Sequence, residues 1–266
     1  MIDRRAQAPD RFRRFSTLNF VLIVALAAIL LASMGQVAPS PKQLADGLPG
    51  MANLVGRMLP PNTEPDFLAR IAVRMIETFQ IALVGAAIGI VLSLPIAWCA
   101  ARGVSPLGRG NVLVKAAISF LRTVPDLVWA LIFVASIGLG AVAGTMTIMV
   151  DTIGFCGRFF AEAMEDAEKE PQEALAAIGA NRPSILIGAI LPDIMPSLIN
   201  SSLFALEKAV RSSVVLGLVG AGGIGQELKV AFDLFQYRNA SMIILAIFVI
   251  VLLMEVCTDK LRARLQ

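Results

Sequence analysis

Apolar residues in this chain come in long unbroken runs, with the polar residues gathered between them, rather than in the alternating or three-four spacing of a soluble domain. A first run covers residues 18–34, behind the cluster Arg4, Arg5, Arg11, Arg13 and Arg14. It copies the outline of a secretory signal. About 17 apolar residues exceed a typical signal core, however, and no small-residue cleavage site is forced at their end, so an uncleaved anchor helix is expected. Residues 39–66 contain Pro39, Pro41, Pro49, Pro60, Pro61 and Pro65 and predict a loop or interfacial segment with no spanning helix.

Five further runs follow. Residues 71–101 are long enough to cross a bilayer with tilt to spare, at about 1.5 Å of rise per residue. Residues 111–138 predict a third span kinked at Thr123-Val124-Pro125-Asp126, where proline removes a backbone donor. The Gly138-Leu139-Gly140 turn leads into a fourth span over 141–163; a fifth runs from Pro192 or Pro196 to about 215, and a sixth over 240–256. The expected fold is an all-α polytopic membrane protein of six transmembrane helices. Residues 1–70 form a cytoplasmic arm, the anchor helix and an external loop; residues 71–266 form the transmembrane domain, with a cytoplasmic loop at about 165–192.

Composition agrees. With 57% hydrophobic residues, 16% charged residues and a mean hydropathy of +0.76, the 266 residues cannot fold around one aqueous core; soluble domains carry about 25% charge. Six crossings put both ends on one side, and charge decides which. With the ends cytoplasmic, fourteen of the 23 Lys and Arg lie inside and six outside, the asymmetry expected of cytoplasmic loops. The remaining three, Arg122, Lys208 and Arg211, fall within spans, where an ionised side chain is expensive unless it faces protein or water.

Other chemistry is excluded by what is missing. With no histidine, imidazole metal ligands and Ser-His-Asp triads are unavailable, and Cys99, Cys156 and Cys257 match no metal-binding spacing, so they read as buried small hydrophobes. No cofactor, metal or catalytic residue is expected. The net charge of +3 belongs to the loops and not to nucleic-acid binding.

The most informative polar segment is residues 165–192, EDAEKEPQEALAAIGANRPSILIGAILP. Pro171 suits a first helical turn and Gly179 a helix C-terminus, which predicts a helix-turn-helix across the cytoplasmic face, able to dock into a groove on another protein. The segment resembles the EAA loop of ABC-importer permeases: EAA, three residues, G, nine residues, I, one residue, LP. Glu173, Ala174, Gly179, Leu191 and Pro192 match at full spacing; Leu175 and Ala189 replace the third small residue and the isoleucine. Residues 121–140, 157–166 and 210–228 look like parts of the phosphonate-type permease subunit, a similarity covering about the last 200 residues. The resemblance implies a MetI-like transmembrane fold, a homodimer, two ATPase subunits docked on the loop and a periplasmic or lipid-anchored binding protein, with the permease itself in the bacterial inner membrane.

Two polar motifs admit more than one reading. Gly220, Gly222, Gly223 and Gly225 satisfy GxGxxG, but residue 245 is leucine where a dinucleotide fold places an acid, and no Gly-Lys-Ser/Thr follows to make an ATPase loop. With Gly217 they read instead as close-packing backbone at the outer end of span five, either plain helix packing or a gate hinge. Glu207 and Arg211, four residues apart, suit a self-neutralising pair. Alternatively Arg211, Lys208, Ser212 and Ser213 line an oxyanion path, to which Arg122 adds a second guanidinium, with Asp126 as its partner or as a helix cap. Asp151, Arg158 and Glu162 share one helix face and are the only cluster a membrane enzyme could use; ion pairing explains them better. The resulting expectation is a permease for phosphonate or a related oxyanion, with a methionine-type permease as the alternative.

Overall fold

A computed structural model describes residues 17–38 and 40–265; the five N-terminal arginines and Pro39 lie outside the described residues. The chain divides after Gly56 into two compact units.

In the first unit, helix α1 (Thr17–Val37) is apolar on every side, the composition that suits a membrane-crossing helix. Residues 41–58, expected as a loop or an interfacial segment, form helix α2 (Pro41–Met58) and not a loop. Its start is a capping box: the Ser40 Oγ accepts from the Gln43 N–H at 3.1 Å, and the Gln43 Oε1 accepts from the Ser40 N–H at 2.9 Å. Pro41 occupies the first helical position, where a missing N–H costs nothing, so only Pro49 stands inside the helix.

The second unit is a helical bundle: α3 (Pro65–Ala100), α4 (Asn111–Thr123), α5 (Asp126–Ile137), α6 (Ala141–Asp166), α7 (Lys169–Ala177), α8 (Arg182–Ile185), α9 (Leu191–Gly217), α10 (Ile224–Asp233) and α11 (Tyr237–Leu265). Helix α6 is the axis of the bundle, packed by α3, α4, α5 and α9. Of its charged residues Asp151 is half-buried and paired with Lys208 of α9, whereas Arg158 and Glu162 are about half exposed and pair with each other. Its union with α3 rests on two glycines a turn apart. A Cβ on Gly85 would stand 2.8 Å from the Thr145 carbonyl oxygen, and one on Gly89 would stand 2.6 Å from the Thr152 Cβ. This Gly-x-x-x-Gly contact brings backbones together where apolar transfer supplies no drive, because lipid is as apolar as leucine.

By length and composition, four helical stretches can cross a bilayer: Leu18–Met58, Pro65–Ala100, Arg182–Gly217 and Tyr237–Arg264. The pair Gly108–Thr123 and Asp126–Ile137 makes a fifth if its two arms are taken as one span. The expected kink there is a corner of 87°. Val124, barred from helical geometry by the following proline, is extended (φ −77, ψ 120), and Pro125 is extended as well (φ −57, ψ 143). Cys156 is buried and Cys99 half-buried, whereas Cys257 is exposed, against expectation, because α11 turns that face away from the bundle.

Candidate functional site

Three regions of the second unit hold the sequence-predicted functional residues. The first is the loop between α6 and α9. Helix α7 begins at Lys169, with Pro171 in its first turn, and ends in a Schellman motif: Gly179 at φ +84 donates its N–H to the Ala176 oxygen at 3.0 Å, and Ala180 donates to the Leu175 oxygen at 3.1 Å. Asn181 caps α8 by accepting from the Ser184 N–H at 3.0 Å. A five-residue π-helical turn, Leu186–Ile190, then joins α8 to α9. Glu173, Ala174, Ala177, Ile178 and Gly179 are all exposed, as is Pro192, while Leu191 is half-buried. Two bonds anchor the loop: the Glu168 N–H donates to Asp193 Oδ2 at 2.9 Å, and Arg182 Nη1 donates to the Ser105 oxygen at 2.7 Å.

The second region is a belt of charge and aromatic rings along α6, α9 and α11. Lys208 Nζ lies 2.8 Å from both oxygens of Asp151. Arg211 Nη2 lies 2.5 Å from Glu207 Oε1, and Arg262 Nη2 stands 3.6 Å from the other oxygen of Glu207. Three phenylalanines connect these groups: Phe159 packs on Phe155 with centroids 4.6 Å apart, and Phe155 on Phe204 at 5.4 Å. Each ring holds a cation over its face: Arg122 over Phe159 at 5.9 Å, Lys208 over Phe155 at 5.5 Å and Arg262 over Phe204 at 5.8 Å. The ladder thus joins Arg122 of α4 to Lys208 of α9. Asp126 does not pair with Arg122; its Oδ1 accepts from the Leu127 N–H at 2.9 Å at the start of α5. Ser212 is half-buried. Ser213 is buried and donates to the Val210 oxygen of its own helix at 2.8 Å.

Sequence reasoning missed two members of this belt. Arg262 was expected in the cytoplasmic tail, and Asp151 was grouped with Arg158 and Glu162. In the structure Arg158 Nε pairs with Glu162 Oε1 at 2.7 Å and Asp151 turns to Lys208. A usable signal existed: residues 151, 155 and 159 recur every fourth position and so form one stripe of α6, and a lysine at depth demands an acid.

The third region is the glycine-rich turn after α9. Gly220, Gly222 and Gly223 have φ of +94, +85 and +75, conformations that side-chain-bearing residues rarely adopt. A Cβ on Gly217 would lie 2.7 Å from the Gly222 oxygen, and Gly225 packs against the Val214 carbonyl. The turn is fastened to its neighbours: the Ile224 N–H donates to Thr78 Oγ1 at 2.7 Å, and the Gly140 N–H donates to the Gly220 oxygen at 2.9 Å.

Comparison with known proteins agrees with this architecture. Residues 89–266 match the family described as binding-protein-dependent transport system inner membrane component. The phosphite transport system permease of Stutzerimonas stutzeri is 37% identical over 221 residues, covering 82% of this chain and 79% of that one. The phosphate-import permease of Mycolicibacterium smegmatis is 35% identical over 96% of this chain, which spans 47% of that longer protein. Among solved structures, an inward-facing MetNI methionine ABC transporter superposes with a TM-score of 0.66 at 20% identity, covering 77% of this chain and all of that one, and so shares the fold. The helical bundle shared with that transporter and a family match over residues 89–266 lead to one assignment: the chain belongs to the binding-protein-dependent inner membrane permeases of ABC importers, non-catalytic subunits that work with a separate ATPase and a binding protein.

Proposed function

We propose that this permease carries phosphite, phosphonate or a related phosphorus oxyanion into the cell. The observation that carries the reading is the way Arg122 is held. Its guanidinium rests on the Phe159 ring and, among the described residues, pairs with no carboxylate, so its charge is supported without being neutralised. Along the belt Arg122, Lys208, Arg211 and Arg262 face Asp151, Glu207 and, at 3.8 Å from Arg262 Nη1, Asp259; the positive charge left in surplus is that of Arg122, which suits an anion and has no use for the zwitterion methionine. The relatives named for phosphite and phosphate transport support the same class.

In this reading α6 is the sixth crossing, both termini are cytoplasmic, and two copies of the chain enclose the path. Two ATPases dock on Glu173, Ala174, Gly179, Leu191 and Pro192, and their closure rocks the bundle to alternate access. The Gly217 to Gly225 turn serves as the outer gate hinge, and Arg122, Lys208, Arg211, Ser212 and Ser213 meet the substrate transiently, since a tight fixed site would hinder release. The test is uptake of labelled phosphite, methylphosphonate, phosphate and methionine by cells stripped of their own systems and supplied with this permease, its ATPase and its binding protein. Uptake of a phosphorus oxyanion that falls on Arg122→Gln, with assembly intact, is expected. Uptake of methionine alone would overturn the proposal.

A further inference from the structure

A second polar site lies apart from the charged belt, on the face of the bundle that carries the α7–α8 loop. It is a cavity of 220 Å³ walled by α4, α6 and the chain leaving α3. Arg102, Lys115 and Arg158 converge on it with Ser119 and Glu162, over an apolar floor of Ile118 and Ala161. Two of the three cations have partners: Lys115 Nζ lies 2.5 Å from Glu165 Oε1, and Arg158 Nε lies 2.7 Å from Glu162 Oε1. Arg102 gives only its backbone N–H to Glu165, at 2.7 Å. Among the described residues the Arg102 guanidinium and the Ser119 hydroxyl donate to nothing. Three cations on three walls, with the Ser119 hydroxyl beside Lys115 on α4, outnumber the lining Glu162 and the neighbouring Glu165 and call for an anion whose oxygens point in several directions. A carboxylate offers two oxygens in one plane, whereas a phosphate group offers three or four in a tetrahedron. The volume falls below the roughly 300–1,000 Å³ of sites for drug-sized ligands, which fits a compact headgroup and not a nucleotide.

We propose that this cavity binds a phosphate group, brought either by an anionic phospholipid headgroup, as basic pockets between transmembrane helices do on the cytoplasmic side, or by free inorganic phosphate. The occupant sits beside the tie that roots the coupling loop. Glu165 holds both Lys115 and the Arg102 backbone, and Arg182 in α8 holds Ser105, three residues beyond Arg102. An anion there links α4, α6 and the α3–α4 connection and so stiffens the base on which α7 and α8 stand. The site is independent of the transported substrate, and its failure would leave the reading of the charged belt untouched.

The test is the thermal midpoint of the purified full-length permease in neutral detergent, titrated separately with phosphatidylglycerol, phosphatidylcholine and inorganic phosphate, for the wild type, Arg102→Gln and Arg109→Gln. Among the described residues the Arg102 side chain makes no hydrogen bond or ion pair, and Lys115 and the Arg102 backbone N–H hold Glu165 without it, so its variant should assemble normally. Arg109 lies in the same connection without lining the cavity and controls for general charge. A saturable rise with phosphatidylglycerol but not phosphatidylcholine assigns the lipid source; a rise with inorganic phosphate assigns the free anion. In either case Arg102→Gln should weaken the apparent affinity about tenfold or more, the loss of one charge-assisted hydrogen bond, and Arg109→Gln should not. A rise with none of the three, an equal rise with phosphatidylcholine, or equal weakening by both variants would overturn the proposal.

Discussion

Replacing Gly179 separates the conformation of the loop from its contact with a partner. The residue sits at φ +84, and nothing lies within 4 Å of the place its Cβ would occupy. Alanine there meets no clash within the chain, so its cost is purely conformational, about 1–2 kcal/mol for a left-handed L-residue. That lowers the population of the turn by a factor of roughly 5–30. Asparagine visits this region more readily and should cost less; leucine should cost the chain itself little more than alanine, because the space is open. Any loss with Gly179→Leu beyond that of Gly179→Ala therefore reports a surface pressed against the turn. The assays are co-purification of the ATPase, binding-protein-stimulated ATP hydrolysis, and the thermal midpoint of the membrane subunit alone. Coupling should fall in the order Gly, Asn, Ala, Leu, while the midpoint stays constant because the turn is peripheral. Glu173→Lys on the exposed face of α7 should behave like the leucine variant. A Gly179→Leu permease that co-purifies with a fully active ATPase would refute the docking role.

The belt makes a second prediction. Glu207 is only 13% exposed and serves two guanidiniums, so Glu207→Gln should lower the melting temperature more than Arg211→Gln, by about 1–3 kcal/mol of stability, since it also leaves Arg262, whose Nε and Nη2 already lack hydrogen bonds, with only the exposed Asp259 at 3.8 Å. The triple variant Glu207→Gln, Arg211→Gln, Arg262→Gln should recover stability and transport poorly; wild-type uptake by it would remove Arg211 from the path. Gly89→Leu should destabilise the bundle by at least about 1–3 kcal/mol, read as a lower melting temperature, because its Cβ would press on Thr152. Reporter fusions at residues 50 and 233 should report outside, and those at 105, 175 and the C-terminus inside; an outside signal at 175 contradicts the coupling role.

Much of the bundle was legible because long apolar runs leave few alternatives: α3, α9 and α11 overlap their predicted spans, and Gly179 ends its helix as glycine at that spacing should. The failures have physical causes. Six prolines drew residues 39–66 toward a loop, while the Ser-Pro-Lys-Gln capping box that starts α2 stood inside the same stretch. Pro125 predicted a kink, but the size of a bend depends on how many residues leave helical geometry, and here both Val124 and Pro125 do. The Gly85–Gly89 contact was overlooked because glycines inside an apolar run do not disturb its hydropathy. Arg262 was assigned by its distance from the end of an apolar run; tertiary packing of α11 on α9 brings it back to Glu207.

The π-helical turn at Leu186–Ile190 has a mechanical consequence of its own. The Leu191 N–H bonds to the Leu186 oxygen, five residues back in place of four, so one residue is added to a turn without lengthening the helix by a full step. A residue corresponds to about 100° of rotation in an α-helix. The added residue therefore sets the azimuth of α8 and α7, where Gly188 meets the Leu175 side chain, separately from the azimuth of α9 that aims Lys208 and Arg211. Removing one residue from the turn would restore an unbroken helix and swing the loop through roughly a quarter of a circle. Phase, and not distance alone, is then what couples the two ends of this helix.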